Sequence, residues 1–291
     1  MKRTIILDST QISDFLTCPM LWHLRHEEHL ASKHGQSEPI RAGSFGHILL
    51  EHYYKNTVTQ TSKAEAARLA IAHANSVAVE FNLQTDLYKL IINRFNMYWM
   101  RWSALRDITP NADDSGPLVE RGFSYLLHED QDIIFVLEGK IDVIGQYAGQ
   151  PVFMDHKFQF RRRDLFRKRI QFRNYALVTG LTTGVINYIR LTKEISDTTF
   201  SRDVVTLMAN EHEWWKSELI NIFTQVALAR GFGDYLRNWD SCEGKFGYPC
   251  DFTTSDGRLG ICESMHDEQL VKYIKENQYI TIQESERWKP W

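Results

Sequence analysis

Residues 135–157, FVLEGKIDVIGQYAGQPVFMDHK, constrain the fold more than any other stretch of the chain. Two apolar runs flank a segment holding Gly145, Gly149 and Pro151: Phe135, Leu137, Ile141 and Val143 on one side, Val152, Phe153 and Met154 on the other. That pattern predicts two strands joined by a turn. Each run carries one aspartate among apolar neighbours, Asp142 and Asp155, and Lys157 follows two residues after the second. Strand alternation puts Asp155 and Lys157 on one face and His156 on the other. Pairing of the strands would bring Asp142 to the same site. Two convergent carboxylates suit a hard divalent cation such as Mg2+, which prefers oxygen ligands and keeps positions for water and phosphate. An ammonium beside them would orient an attacking water or offset charge on a phosphoryl group.

Two more patterns lie on either side. Gly43-Ser44-Phe45-Gly46-His47 precedes the paired strands, and Gln171-Phe172-Arg173-Asn174-Tyr175 follows them. Asp142 with Asp155-His156-Lys157 resembles the core of the PD-(D/E)XK nucleases, in the RecB-type branch where the second acid is often aspartate. That branch adds GxxxH upstream and QxxxY downstream, and both are present here in order. Cys18-Pro19, followed by an aromatic-rich basic helix, resembles the branch as well. The resemblance implies an α/β fold, a mixed central sheet flanked by helices. It implies Mg2+ or Mn2+ held by Asp142, Asp155, the His156 backbone carbonyl and His47, and a water positioned by Lys157. It also implies that Gln171 and Tyr175 steady the substrate strand.

At 291 residues and 43% hydrophobic content the chain can bury one large core or two small ones. No Pro/Gly/Ser-rich linker divides it, so a single nuclease domain over 1–291 is expected, with a helical insertion at about 60–106 and a cysteine-containing region at about 239–291. The net charge of −3 does not announce a nucleic-acid binder, but a nuclease needs only a local basic surface. The apolar run Ile5-Ile6-Leu7 is too short for a signal peptide, and no span approaches membrane length. A cytoplasmic location is expected.

Along the chain, Asp8, Ser9 and Thr10 offer an N-cap to an amphipathic run through Leu24. Lys33 to Pro39 reads as a loop. Gly43 to Gly46 then open a second helix with His47 near its first turn, where its imidazole could ligate a metal or contact a phosphate. Residues 63–106 read as helical throughout, with the aromatics as packing. Thr109 to Pro117 reads as a loop and 118–127 as a strand. Glu120, on that strand, stays outside the catalytic set as a solvated or salt-bridged residue. Residues 184–191 and 199–207 read as strands, and 211–230 as a long helix.

Beyond Lys157 the chain turns basic. Arg161, Arg162, Arg163, Arg167, Lys168 and Arg169 lie where a DNA backbone would pass, and phosphate neutralisation there would give affinity without sequence preference. Cys18, Cys242, Cys250 and Cys262 are the only cysteines. One before the core and three after it resembles RecB-branch nucleases that hold a 4Fe-4S cluster. Seven and eleven residues separate the last three, wider than in those relatives, so structural zinc and free thiols stay open beside the cluster. The expected activity is a metal-dependent exonuclease acting on DNA that is single-stranded or has a single-stranded end, in phage or repair metabolism, with a helicase or recombination partner. The alternatives are a structure-specific or single-strand endonuclease, a catalytically silent DNA-binding subunit, and a metal-dependent hydrolase of another substrate.

Overall fold

The computed structural model describes residues 2–33, 37–60, 62–105, 107–160, 170–208, 210–242, 250–254 and 260–282. Strands β1 (Arg3–Leu7), β2 (Val119–Glu129), β3 (Ile133–Tyr147), β4 (Gln150–Gln159), β5 (Thr183–Arg190) and β6 (Phe200–Thr206) carry the main ladders. The longer helices are α1 (Ser9–Thr17), α2 (Glu38–Thr59), α3 (Lys63–Val77), α4 (Thr85–Ala104), α5 (Ile170–Thr179), α6 (Glu211–Phe232) and α7 (Glu268–Gln278). The chain forms two compact units. One comprises Met1–Gln36, Ser124–Gly139 and Lys216–Pro290, and the other is built from Ser37–Phe123 and Lys140–Trp215.

In the second unit the expected hairpin is the organising element. Ala148 and Gly149 both have positive φ, 52° and 80°, and form a two-residue turn whose twist matches that of the strands it joins. Pairing runs from Tyr147 opposite Gln150 to Val143 opposite Met154. On its other edge β4 is paired in parallel with β5, from Phe153–Gly184 to Gln159–Arg190, and β6 lies antiparallel to β5. One face of this mixed sheet packs Met154, Phe158 and Val185 against Phe45 and Leu49 of α2 and Tyr98 of α4. The other packs Phe153 and Ile186 against Phe172 and Tyr175 of α5. Removing each such side chain from water contributes about 1.5–3 kcal/mol, which is why alternation along β4 fixes which residues face which helix.

The first unit contains β1, paired in parallel with β3 from Arg3–Ile133 to Leu7–Leu137. Asp8 caps α1, accepting from the backbone N–H groups of Thr10 and Gln11, as the sequence predicts. Leu30–Ser32 pairs with Tyr279–Thr281 beside an apolar cluster of Cys18, Leu24, Phe252, Ile261 and Cys262.

Several boundaries differ from expectation. Helix α2 begins at Glu38 rather than at the glycines, because Pro39 occupies its first turn, where a missing N–H costs nothing. His47 therefore lies well inside the helix. The long helical segment breaks at Ala78–Phe81, and Asn82 takes φ +42° between α3 and α4. The Thr109–Pro117 segment is not a plain loop: Thr109–Pro110 pairs with β3, and Ala112–Asp113 pairs with Gly116–Pro117.

Gly46 shows why α2 tolerates glycine. A Cβ there would lie 2.3 Å from two ring atoms of buried Phe158, whereas one at Gly43 would meet only the Phe158 carbonyl at 3.6 Å. Gly46→Ala is expected to lower stability by about 1–3 kcal/mol through overpacking. Gly43→Ala should be neutral or stabilising by up to about 1 kcal/mol, since alanine is the better helix former. Thermal unfolding of the two variants checks the contrast.

Candidate metal and catalytic site

The hairpin ladder ends at Val143–Met154, and beyond it a side chain takes over the pairing. Asp142 Oδ2 accepts the backbone N–H of His156 at 2.6 Å. Helix α2 brings His47 to the same carboxylate, with Nδ1 3.6 Å from Asp142 Oδ2 and 3.6 Å from Glu120 Oε1. Lys140 Nζ lies 2.6 Å from Glu120 Oε2. His47, Glu120 and Asp142 each offer a ligand atom, all within 4.8 Å of one another, and they form a group able to hold a metal ion. Hard carboxylate oxygens with one imidazole fit a divalent cation such as Mg2+ or Mn2+.

Burial pushes the Asp142 carboxyl up to about 7. His47 opposes that rise, and Glu120 and Asp155 add to it. Burial opposes charge on His47, but Asp142 and Glu120 outweigh it and raise its pKa. Glu120 is also buried, yet His47 and Lys140 hold it below the ordinary carboxylate range. Like charges crowded in a dry site share protons, and a cation relieves the crowding.

Asp155 and Lys157 share a face, with His156 turned away. Lys157 Nζ donates to Asp155 Oδ1 at 2.7 Å and to Gln171 Oε1 at 3.2 Å. Gln171 Nε2 donates to the Tyr175 hydroxyl at 2.7 Å, and that hydroxyl donates to the Lys140 carbonyl at 2.5 Å. Gln171 and Tyr175, one helical turn apart on α5, therefore form a relay ending on the lysine. Burial, then the charges of Asp142 and Asp155, raise the Tyr175 pKa well above the ordinary phenol value. The residue is 2% exposed and its single proton is donated to a backbone carbonyl.

Glu120 is the residue that the sequence leaves out and the structure brings in. It is buried with φ +52°, a left-handed conformation that breaks the alternation of β2. An acid at a strand position reads as solvated when alternation is assumed. The adjacent buried pair Val119-Glu120 departs from it. Arg161, Arg162, Arg163, Arg167, Lys168 and Arg169 lie outside the described residues.

In the other unit, the four cysteines come together from opposite ends of the chain. None forms a disulfide. Cys18 and Cys262 belong to the apolar cluster, and Cys250 packs against it. Cys18 Sγ accepts from the Asn238 N–H at 3.4 Å, and Cys242 Sγ donates to the Asn238 carbonyl at 3.7 Å. Burial pushes the Cys262 thiol up to about 12, and Cys250, Cys18 and Cys242 each add to the rise. Burial likewise carries Cys250 to about 11. Four gathered thiols fit a thiolate-ligated metal centre.

Among the described residues, no helix is long and apolar enough to cross a membrane. No curated protein matches the chain. Solved structures resemble it, among them two at low identity. One is described as a "Putative exonuclease" from Eubacterium rectale: TM-score 0.49, 10% identity, covering 86% of this chain and 88% of that one. The other is SSO0001: TM-score 0.37, 11% identity, covering 89% and 90%. The family model for the PD-(D/E)XK nuclease superfamily matches residues 9–254, a span that holds His47, Asp142, Asp155, Lys157, Gln171 and Tyr175. With that match over most of its length, this chain belongs to the PD-(D/E)XK nuclease superfamily.

Proposed function

We propose that the chain is a Mg2+- or Mn2+-dependent deoxyribonuclease that hydrolyses phosphodiester bonds at DNA ends. The observation that carries this reading is the convergence of His47, Glu120 and Asp142 next to the Asp155–Lys157 pair. His47, Asp142, Asp155 and the His156 carbonyl would hold the cation, and Glu120 joins them as a fourth side chain. The cation, when bound, supplies positive charge to the phosphoryl oxygens and lowers the pKa of water. Lys157, oriented by Asp155 and Gln171, directs the attacking water. The water gives up a proton as its oxygen bonds to phosphorus, the P–O3′ bond breaks, and the departing O3′ takes up a proton. The partly exposed side of His47, 32% accessible, leaves room for the scissile phosphate. Chain 1–291 acts as one nuclease domain, and the basic run 161–169 supplies affinity for the DNA backbone. The substrate is single-stranded DNA or a duplex with a single-stranded end, delivered in the cytoplasm by a helicase or recombination partner.

End-labelled linear DNA and covalently closed circles, single- and double-stranded, test this with Mg2+ or Mn2+. Linear DNA should be degraded and circles left intact. Cutting of circles would make the enzyme an endonuclease. Absence of all cleavage would sink the nuclease reading.

We also infer that Cys18, Cys242, Cys250 and Cys262 hold a 4Fe-4S cluster that ties the first helices to the last loop, supported by Cys18, Cys250 and Cys262 meeting at one apolar cluster and by the charge of Cys242 acting on Cys262. Protein purified without oxygen should be brown and contain about four iron and about four sulfide per chain. Cys18→Ser should bleach it and lower the thermal midpoint. One zinc and no iron would put a four-thiolate zinc site in its place, and neither metal would leave free thiols.

A further inference from the structure

His156 lies between Asp155 and Lys157 on β4, and its ring is held on two sides by one buried ion pair. Arg202 Nη2 binds Asp107 Oδ1 at 2.6 Å, with both side chains almost fully buried at 1% and 2% exposure. From this pair one arm reaches the ring face. The Tyr54 hydroxyl donates to Asp107 Oδ1 at 3.1 Å, and the Tyr54 ring stacks on His156 at 5.3 Å with a 9° interplanar angle. The other arm reaches the ring edge. Arg202 Nε donates to Asn187 Oδ1 at 3.2 Å, and Asn187 Nδ2 lies 2.9 Å from His156 Nδ1.

Donor chemistry fixes the proton. Arginine Nε can only donate, so the oxygen of the Asn187 amide faces Arg202 and its NH2 faces the histidine. His156 Nδ1 must then accept, which leaves the ring proton on Nε2. The same residue's backbone N–H makes the 2.6 Å bond to Asp142 Oδ2. Asn187 is fully buried on β5, directly across the parallel ladder from His156.

We propose that Asn187 is a positioning residue for the nuclease reaction. By locking the His156 ring as the Nε2–H form against Tyr54, it fixes the peptide N–H that aims Asp142 at His47 and Glu120. This rests on the cation site proposed above and adds a residue that does not touch the cation. Outer-shell partners of metal ligands typically change metal affinity by about 10- to 100-fold when removed.

The test uses full-length protein with Asn187→Leu, which keeps volume without an N–H, and Asn187→Asp, which keeps the acceptor for Arg202 and loses the donor. Mn2+ binding is followed by calorimetry without DNA, and 15N spectra of labelled histidines report the His156 tautomer, assigned by its loss in His156→Gln. The wild type should show the Nε2–H form. Both variants should lose it, with Mn2+ affinity down about tenfold or more, kcat down, and KM for DNA unchanged. If Asn187→Leu does not fold, Asn187→Asp decides alone. Wild-type Mn2+ affinity in a folded variant, or an Nδ1–H form in the wild type, overturns the proposal. A wild type that binds Mn2+ here but cleaves no DNA would instead fail the nuclease reading and leave the Asn187 result readable.

Discussion

Asp155→Ala and Lys157→Ala are each expected to reduce cleavage about a thousandfold or more while the protein stays folded. A factor of a thousand corresponds to roughly 4 kcal/mol of transition-state stabilisation, the scale of a lost charge-stabilising group in a dry site. The two losses should differ in kind. Asp155 is 4% exposed, and its charge acts on Asp142, so its removal should weaken Mn2+ binding as well. Lys157 is bonded to Asp155 and Gln171 and to none of His47, Glu120 and Asp142 in that network, so its removal should slow chemistry with metal affinity retained. Single-turnover cleavage beside Mn2+ titration separates the two effects. Full activity in either folded variant would remove these residues from the site.

The second large effect concerns stability. Asp107→Ala should cost about 3–5 kcal/mol, because it removes a buried carboxylate that the Arg202 guanidinium binds at 2.6 Å. Aromatic groups also pack around Arg202. Its guanidinium carbon lies 3.9 Å from the Trp102 ring centroid, and its Nη2 donates to the Tyr98 hydroxyl at 2.8 Å. Cation–π contacts offset part of the loss but not the desolvation of a full charge. Replacing both partners with apolar residues, Arg202→Met with Asp107→Leu, should cost less than the single change, since neither charge is then buried. Urea midpoints for the two variants and the wild type decide it. A single variant as stable as the wild type would contradict the account.

What the sequence reveals follows from how local each signal is. The hairpin is legible because apolar alternation, Gly149 and the spacing of Asp142, Asp155 and Lys157 lie within one short stretch. The aromatic content of α4 reads as packing, and Phe95, Tyr98 and Trp102 are buried. Glu120 is not legible, because its place depends on a left-handed backbone that no residue type announces. β1 is missed because Arg3–Leu7 has only five residues, and only Ile5 and Leu7 are buried. The start of α2 is misplaced because glycine signals an opening, whereas here Gly46 answers a close approach by Phe158 from another strand. The Arg202–Asp107 pair spans 95 positions and joins two residues that sequence pattern leaves unremarked.

The central claim is that Asp142 is a metal ligand at the meeting point of His47, Glu120 and Asp155. Crystals soaked in Mn2+ and measured for anomalous scattering test it without relying on any substrate. The account predicts a peak about 2.0–2.6 Å from an Asp142 carboxylate oxygen, the range for hard cations on oxygen, and its loss in Asp142→Ala. No peak at this cluster, or a peak whose ligands exclude Asp142, would contradict it.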